Sequence, residues 1–227
     1  MGRHDVRDGW HEAAREELLG LPADVAPRLL GGVLTTVVGG EEVAVRLTEV
    51  EAYHGLGTGD VHDAGSHARM GRTARNATMW GEPGRLYVYL SHGIHSCVNV
   101  VCGPEGTAGG ILLRAGEIVR GAEAALRRRE ARGVVRAPRD LARGPGRLGD
   151  AIGLRHPVHD GIDVVTGEPR AGAVARLALA DDPPAHVAGP RVGVAGLAGT
   201  SAFPWRFSIP GDPTVSPFRP GRGAAPS

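Results

Sequence analysis

Residues 45–55 read VRLTEVEAYHG, an alternating run that predicts a β-strand ending in two carboxylates. Because side chains alternate with period two, the apolar face of this run is predicted to end in Glu49, Glu51 and Tyr53, provided that no bulge intervenes. All three tyrosines of the protein fall within residues 45–114, in a chain that is only 4% aromatic. This concentration indicates a site in the segment, because an ordinary core would spread its aromatic residues more evenly.

The composition fits one globular domain. The chain has 227 residues, of which 41% are hydrophobic, so we predict a single domain over residues 1–216 and a disordered Pro/Gly/Ser-rich tail at 217–227. It has neither an apolar run long enough to span a membrane nor a signal-peptide pattern, so no membrane partner is predicted and a cytoplasmic location is expected. Cys97 and Cys102 share one apolar run and are predicted to be buried, reduced thiols.

Arginines are unevenly distributed although the net charge is only +1. Residues 114–147 hold ten arginines and four acids, a local balance of 10 − 4 = +6. Since guanidinium groups bind phosphate through a planar fork, this stretch is either a polyanion-binding face or the solvated face of a helix. The chain contains no lysine, so Schiff-base chemistry on a lysine side chain is not expected.

The remaining pattern predicts strands connected by hairpins, with a few helices. Strands are predicted at residues 32–38, 43–53, 85–90, 94–102, 109–115 and 205–209, and helices at 11–19, 117–132 and 148–154. Hairpin turns are expected at Gly39–Gly40 and at His92–Gly93. Residues 54–84 are predicted to be a long loop, which in a compact domain is usually functional or disordered.

Glu51 is the candidate for chemistry that the residues alone favour. It stands at the strand end beside the long loop and two residues before Tyr53, where a carboxylate can act as a general base. The alternative is an exposed strand-end glutamate without a role. Arg114 follows an apolar run, and a charge at the end of a buried strand needs a partner, so an Arg–Glu pair is expected to keep the carboxylate ionised.

Several side chains admit two interpretations. Tyr53, Tyr89 and His67 are either core residues or the planar walls of a site for a flat ligand. Arg143 and Arg147 flank a Gly-Pro-Gly turn before the third predicted helix, which is either a plain connection or a phosphate site. A metal cluster is a further alternative, drawn from His54, Asp60, His62, Asp63 and His67. The spacing of that group matches no metal signature, so no metal or other cofactor is predicted.

The ordered series TEVEAY, SHARMGRTARN, MWGEPGRLYVYLSHG, CVNVVCG, ILLRA, LARGPGRL and RVGV resembles the alkyladenine, or 3-methyladenine, DNA glycosylase family from about residue 29 to 215. The resemblance implies an α+β fold: a single compact domain with a curved antiparallel sheet, flanking helices and a protruding β-hairpin. It implies a monofunctional enzyme that flips alkylated or deaminated purines out of duplex DNA and hydrolyses the N-glycosidic bond, leaving an abasic site. The expected partner is therefore double-stranded DNA with damaged purines, bound by a monomer.

The resemblance also assigns roles to residues. Glu51 matches the general base that activates water, Arg114 the arginine that helps to hold that water, and the main chain of Val192 its further partner. Asn99 matches the asparagine that disfavours normal guanine. The positions that enclose the flipped base are matched by Tyr53, His67 and Tyr89.

The sequence departs from the family at two positions. His92 stands where family members have an aromatic wedge, typically tyrosine, that replaces the extruded nucleotide, and Met70 replaces a small or polar residue. His92, Arg143 and Arg147 are the predicted DNA contacts. Two other functions stay open on the residues alone, a non-catalytic binder of damaged nucleic acid and a metal-dependent hydrolase.

Overall fold

The computed structural model describes residues 9–60 and 62–224. One antiparallel sheet of ten strands dominates it, with three short α-helices at its sides. The strands are β1 (Trp10–Glu12), β2 (Val33–Val38), β3 (Glu41–His54), β4 (Leu86–Ser91), β5 (His95–Val101), β6 (Gly109–Arg120), β7 (Ala142–Arg143), β8 (Ala173–Ala180), β9 (Val187–Gly189) and β10 (Arg206–Ser208). The helices are α1 (Pro22–Val25), α2 (Ala122–Glu130) and α3 (Pro145–Ile152).

The two longest strands, β3 and β6, form the centre of the sheet. The main strand order is β1-β8-β2-β3-β6-β5-β4, with β10 paired to β3, β9 to β10 and β7 to β6. The β2–β3 and β4–β5 pairs are the two hairpins that the glycine turns predict. The predicted α+β fold built on an antiparallel sheet is thus confirmed.

A β-bulge in β3 decides which face its glutamates occupy. The register against β6 shifts between Leu47 and Glu49 and again between Glu49 and Val50. Leu47 belongs to the hydrophobic core, and beyond the shift Val50 and Ala52 continue that core. The prediction that the apolar face itself ends in carboxylates is therefore wrong, because the extra residue turns Glu49 and Glu51 to the opposite face.

The helix predictions are only partly correct. Residues 11–19 form β1 and the 3₁₀ turn Arg15–Leu18, because this segment pairs with the edge strand β8. The strand predicted at 109–115 continues to Arg120, since β3 pairs with it that far, so the following helix starts at Ala122. Between them Gly121 has a φ of 72° and lies against the Glu42 carbonyl, where a Cβ would collide. The third helix starts three residues earlier than predicted, at Pro145.

Part of the segment predicted as a disordered tail packs onto the fold. Gly193 donates its N–H to the Arg219 carbonyl at 2.9 Å, and Gly196 donates to the Arg222 carbonyl at 3.0 Å. Ala224 is buried. Residues 217–224 therefore line up beside the loop that carries Val192, while 1–8 and 225–227 lie outside the described residues.

Both cysteines are buried free thiols, as predicted. Burial raises the pKa of Cys97 and of Cys102, so neither is an activated nucleophile. In the part of the chain that the structure describes, no helix is long and apolar enough to cross a membrane.

Candidate active site

One row of paired residues across four strands places the candidate site. Glu51 of β3 pairs with Leu112 of β6, Leu112 pairs with Asn99 of β5, and Asn99 pairs with Tyr87 of β4. Paired residues of an antiparallel sheet point to the same face, so Glu51, Asn99 and Tyr87 share one surface. Tyr53 pairs with Gly110 in the same sheet, and the Met79 side chain, which also lines the cavity, packs over this glycine.

A small cavity of about 80 Å³ lies on this surface. It is lined by Tyr53, Gly65, His67, Met79, Tyr87, Tyr89 and Asn99. The rings of Tyr87 and Tyr89 stack with centroids 5.5 Å apart, and the His67 ring meets Tyr89 edge-on at 4.5 Å. The four residues that the sequence predicts around a flipped base therefore line one cavity. Tyr87 was missed, although its period-two spacing from Tyr89 places it on the same strand face.

The titratable groups in the cavity walls are neutral near pH 7. Burial, followed by the nearby Glu51, raises the pKa of Tyr53 well above its ordinary value, and burial raises that of Tyr87 to about 12. Partial burial of the His67 ring, assisted by Arg75 and Arg69, lowers its pKa. His67 remains an exposed residue overall, so it forms the mouth of the cavity. The walls therefore offer planar faces and hydrogen-bonding groups without a positive charge.

Glu51 is fully buried and has three protein donors. Its Oε1 accepts the Val192 N–H at 2.6 Å, and its Oε2 accepts the Tyr53 hydroxyl at 2.8 Å and Arg114 Nη1 at 3.3 Å. The residues that the sequence predicts as base, arginine and main-chain partner thus meet at one carboxylate. Val192 is 141 positions from Glu51, so only the tertiary structure brings them together.

Glu49 anchors the other side of Arg114. The carboxylate accepts Arg114 Nε at 3.1 Å and Arg206 Nε at 2.6 Å, together with the N–H of Ser216 at 2.8 Å. Burial by itself would raise the pKa of Glu49, but the two arginines and Ser216 outweigh it and lower the pKa. Glu49 therefore holds the Arg114 guanidinium in the position from which it reaches Glu51, a role that sequence reasoning did not identify.

This network predicts an acid-sensitive contribution to stability. The folded-state pKa of Glu49 lies below its ordinary value of 4.5, so its contribution is present above about pH 4.5 and is lost as the pH falls through the folded-state value. We expect Glu49→Gln to be less stable than the wild type at pH 7, with a deficit that narrows below about pH 4.5. Urea unfolding across this pH range measures the deficit. Glu105→Gln, at an exposed site, should follow the wild type throughout; a Glu49→Gln deficit that does not vary with pH would contradict the prediction.

The β4–β5 hairpin presents His92 at its tip. His92 is exposed and has a φ of 50°, Gly93 follows with a φ of 70°, and the Ile94 N–H closes the turn onto the Ser91 carbonyl at 3.0 Å. Two positive φ values in succession are typical of a tight hairpin turn. Ile94 is 58% exposed beside His92, so the tip carries an imidazole and an apolar side chain into solvent.

The structure divides the arginine-rich stretch into two groups. Those on α2 bond to the protein: Arg127 pairs with Glu41, and Arg129 is buried and donates to the Leu141 carbonyl at 3.0 Å. Arg147, in the first turn of α3, is exposed, and Arg143 is partly exposed although its Nε donates to the Val215 carbonyl. The alternative of a solvated helix face therefore fits the exposed Arg127 but not the buried Arg129. Arg147 faces solvent, and Arg143 does so in part, with its Nη1 3.9 Å from an Asp140 carboxylate oxygen.

Three of the side chains in the alternative metal hypothesis make separate contacts instead of sharing one ion site. Asp63 forms an ion pair with Arg191 at 2.7 Å, and the His54 ring stacks on Trp205 at 4.4 Å. His67 faces the aromatic cavity. Among residues 9–60 and 62–224 there is no group of three or more His, Cys, Asp or Glu side chains placed to hold an ion.

A larger groove of about 440 Å³ lies on the sheet face near β1, β8 and β2. It contains none of the predicted site residues, and its arginines are all in ion pairs, for example Arg120 with Glu42 and Arg46 with Asp212. The smaller aromatic cavity therefore remains the candidate site, because its polar groups converge on one space.

Comparison with known proteins identifies the family of this sequence. The sequence profile of the methylpurine-DNA glycosylase (MPG) family matches residues 18–213. A protein of Leifsonia xyli subsp. xyli is 48% identical over 209 residues, covering 92% of this chain and 93% of that protein. A Nocardia farcinica protein is 48% identical over 206 residues with 90% of both chains covered, and one from Burkholderia lata is 45% identical over 222 residues, covering 95% and 97%. Each of these relatives is named "Putative 3-methyladenine DNA glycosylase".

Proposed function

This chain belongs to the methylpurine-DNA glycosylase family, whose enzymes act on alkylated bases in DNA, and from that premise we propose a specific reaction. The protein flips alkylated or deaminated purines out of duplex DNA and hydrolyses their N-glycosidic bond with a water activated by Glu51. The observation that carries the proposal is the buried Glu51 carboxylate, bound by Val192 and Arg114 beside a cavity of aromatic faces.

The hydrogen bonds of Glu51 leave one of its acceptor positions without a protein donor. An ionised carboxylate offers about four acceptor positions, and three are taken by Val192, Tyr53 and Arg114. A water on the remaining position could give its proton to Glu51 as it attacks the anomeric carbon. Arg114 contacts the same carboxylate oxygen as Tyr53 and would steady that water and the carboxylate charge.

The cavity suits a planar base that carries positive charge. A purine alkylated at N3 or N7 carries positive charge, so a protonated histidine or a lysine in the walls would repel it, whereas the aromatic and histidine side chains of the described walls are neutral. Stacking on Tyr53 and Tyr89 would contribute about 0.5–2 kcal/mol through cation–π attraction. Asn99 also lines the cavity, and its amide is fixed by donating to the Tyr87 carbonyl at 3.0 Å. We propose that this amide hinders the exocyclic amine of normal guanine.

The absence of lysine supports hydrolysis without strand cleavage. A lysine-derived Schiff base, which would lead to nicking of the strand, cannot form on a side chain here, so the product is an abasic site. The proposed site is built from one chain, and we propose that the protein acts as a monomer in the cytoplasm as part of base excision repair.

Incubation of the protein with duplexes that contain methylated purines or hypoxanthine, followed by detection of free base, tests this function. Release of the damaged base with an intact, alkali-labile strand is the expected result. Binding without base release would favour the non-catalytic binder. Release that stops with a chelator and returns with a divalent metal would favour the metal-dependent hydrolase.

The wedge role of the hairpin predicts an order of affinities. His92 would fill the gap left by the flipped nucleotide, and a tyrosine ring offers more stacking area than an imidazole. We expect His92→Tyr to bind abasic-site duplex at least as tightly as the wild type, and His92→Ala about 5- to 100-fold more weakly, the loss of one stacking contact. Fluorescence anisotropy with labelled duplex measures this. Equal affinities for the three proteins would exclude position 92 as the wedge.

Arg143 and Arg147 are predicted to contact DNA phosphates. The first turn of α3 leaves backbone N–H groups without intrahelical partners; Arg143 lies just before this turn and Arg147 lies within it. The double variant Arg143→Gln/Arg147→Gln should reduce the slope of log K against log salt by about 1 to 2, since each phosphate contact contributes about 0.9. Arg127→Gln is the control, because Arg127 pairs with Glu41. The same slope in both variants would show that this turn does not contact phosphate.

A further inference from the structure

Beside the candidate site lies a buried ion pair that has no part in the proposed chemistry. Arg191 is fully buried, and its Nη1 and Nη2 donate to the two carboxylate oxygens of Asp63 at 2.7 Å each. Asp63 is 1% exposed. This two-armed arrangement is the most directional contact that arginine makes with a carboxylate, so it fixes the guanidinium plane as well as its position.

Nη1 and Nη2 of Arg191 each also bind a main-chain carbonyl of a site segment, whereas Nε has no hydrogen-bond partner among the described residues. Nη1 donates to the Ala52 carbonyl at 2.9 Å, and Ala52 lies between Glu51 and Tyr53 on β3. Nη2 donates to the Ala198 carbonyl at 3.1 Å, at the far end of the loop that starts with Val192. Arg191 is also the residue directly before Val192, so its side chain fixes the loop whose N–H reaches Glu51.

The guanidinium plane also contacts aromatic rings. Its central carbon lies 4.5 Å from the centroid of the Tyr53 ring and 5.0 Å from that of Trp205. Tyr53 is a wall of the cavity and a donor to Glu51. Stacking on Arg191 therefore limits the movement of this ring without any contact to a bound base.

Asp63 holds the loop on the other side of the cavity. Its Oδ2 accepts the N–H of His54 at 3.1 Å, and its Oδ1 accepts the N–H of Gly65 at 2.9 Å. Gly65 and, two residues later, His67 line the cavity. The carboxylate thus connects the end of β3 to the segment that carries His67.

We propose that Arg191 and Asp63 are positioning residues that set the Val192 N–H against Glu51 and the spacing of the Tyr53 and His67 walls. The proposal rests on the proposed glycosylase function. Buried ion pairs seldom stabilise a fold better than apolar residues of the same size. A contribution to stability therefore does not explain why the Arg191–Asp63 pair is buried here. Positioning gives a reason, because a misplacement of about 1 Å can cost a reaction about 100-fold in rate.

The test measures two quantities for Asp63→Asn: the single-turnover rate of base release and the affinity for abasic-site duplex. The neutral amide keeps the size of the side chain but presents an NH₂ group to one arm of Arg191. We expect the single-turnover rate of base release to fall about 10- to 100-fold, while affinity for abasic-site duplex stays within about threefold of the wild type. A positioning defect lowers the rate and leaves the affinity unchanged, whereas a general loss of folded protein lowers the rate and the apparent affinity together.

A matched control is Asp163→Asn. Asp163 is also a buried aspartate that pairs with an arginine, Arg15, and accepts two main-chain N–H groups, from Val165 and Thr166. It makes no contact with the site. We expect Asp163→Asn to keep the wild-type single-turnover rate at temperatures where it is folded. A fall in rate as large as that of Asp63→Asn would show a general stability effect and overturn the proposal.

Arg191→Lys provides a second variant for the case that Asp63→Asn does not fold. Lysine keeps the positive charge beside Asp63 but loses the second arm and the planar stacking, so the single-turnover rate should fall while abasic-site binding is kept. A wild-type rate in Arg191→Lys, or in folded Asp63→Asn, would overturn the proposal and leave the glycosylase function standing. Absence of base release by the wild type in the same assay would overturn both.

Discussion

Glu51→Gln is expected to lower the single-turnover rate of base release by about 100- to 10,000-fold, the range in which general base catalysis contributes. The amide can still accept the Val192 N–H through its oxygen, and its size is unchanged, so the cavity should keep its shape. It cannot take a proton from water. Affinity for lesion-containing duplex should therefore remain close to that of the wild type.

Quenched single-turnover assays with enzyme in excess, together with anisotropy on the same duplex, separate the two effects. Glu117→Gln is the matched control, since Glu117 is an exposed strand glutamate that pairs with Arg46 outside the site. This variant should retain the wild-type rate. A near wild-type rate in Glu51→Gln would remove Glu51 from the role of base.

Arg114→Met is expected to lower the free energy of unfolding by about 3–5 kcal/mol, as breaking a buried ion pair does. Glu49 and Glu51 are both fully buried, and Arg114 is the side chain that bridges them. Without it, Glu49 keeps Arg206, but Glu51 keeps only neutral donors. Base release should be lost as well, because the same guanidinium is proposed to hold the attacking water.

Urea unfolding at pH 7 measures the loss of stability. Arg120→Met is the control on the same strand, because Arg120 is half exposed and pairs at the surface with Glu42, a contact worth about 0–1 kcal/mol. If both variants lose a similar amount of unfolding free energy, burial of Glu49 and Glu51 is not the reason that the loss of Arg114 destabilises the protein.

The local sequence predicted much of the sheet and of the site. Hairpin turns at Gly39–Gly40 and His92–Gly93, together with alternating runs, were enough to predict the β2–β3 and β4–β5 pairs, because these strands are neighbours along the chain. The site residues Glu51, Tyr53 and Tyr89 stood out for the same local reasons, a charge or an aromatic ring at a strand end.

Errors arose where a distant strand overrides local preference. The helix predicted from residue 117 loses its first turn to β6, which extends as far as β3 can pair with it. The helix predicted at 11–19 is replaced by the end of β1, which pairs with the edge of β8, and by the 3₁₀ turn Arg15–Leu18. Helical periodicity cannot report such pairing, since the partner lies elsewhere in the chain.

The sequence by itself determined the residue types at the site, the strand that carries Glu51 and the family to which the chain belongs. Only the tertiary structure decided the bulge that turns Glu51 away from the core, and the contacts of Arg114, Val192 and Arg191 around it. The physical reason is distance along the chain. These partners are 63 to 141 positions apart, so they meet only when the whole sheet and the loops at its edge are in place.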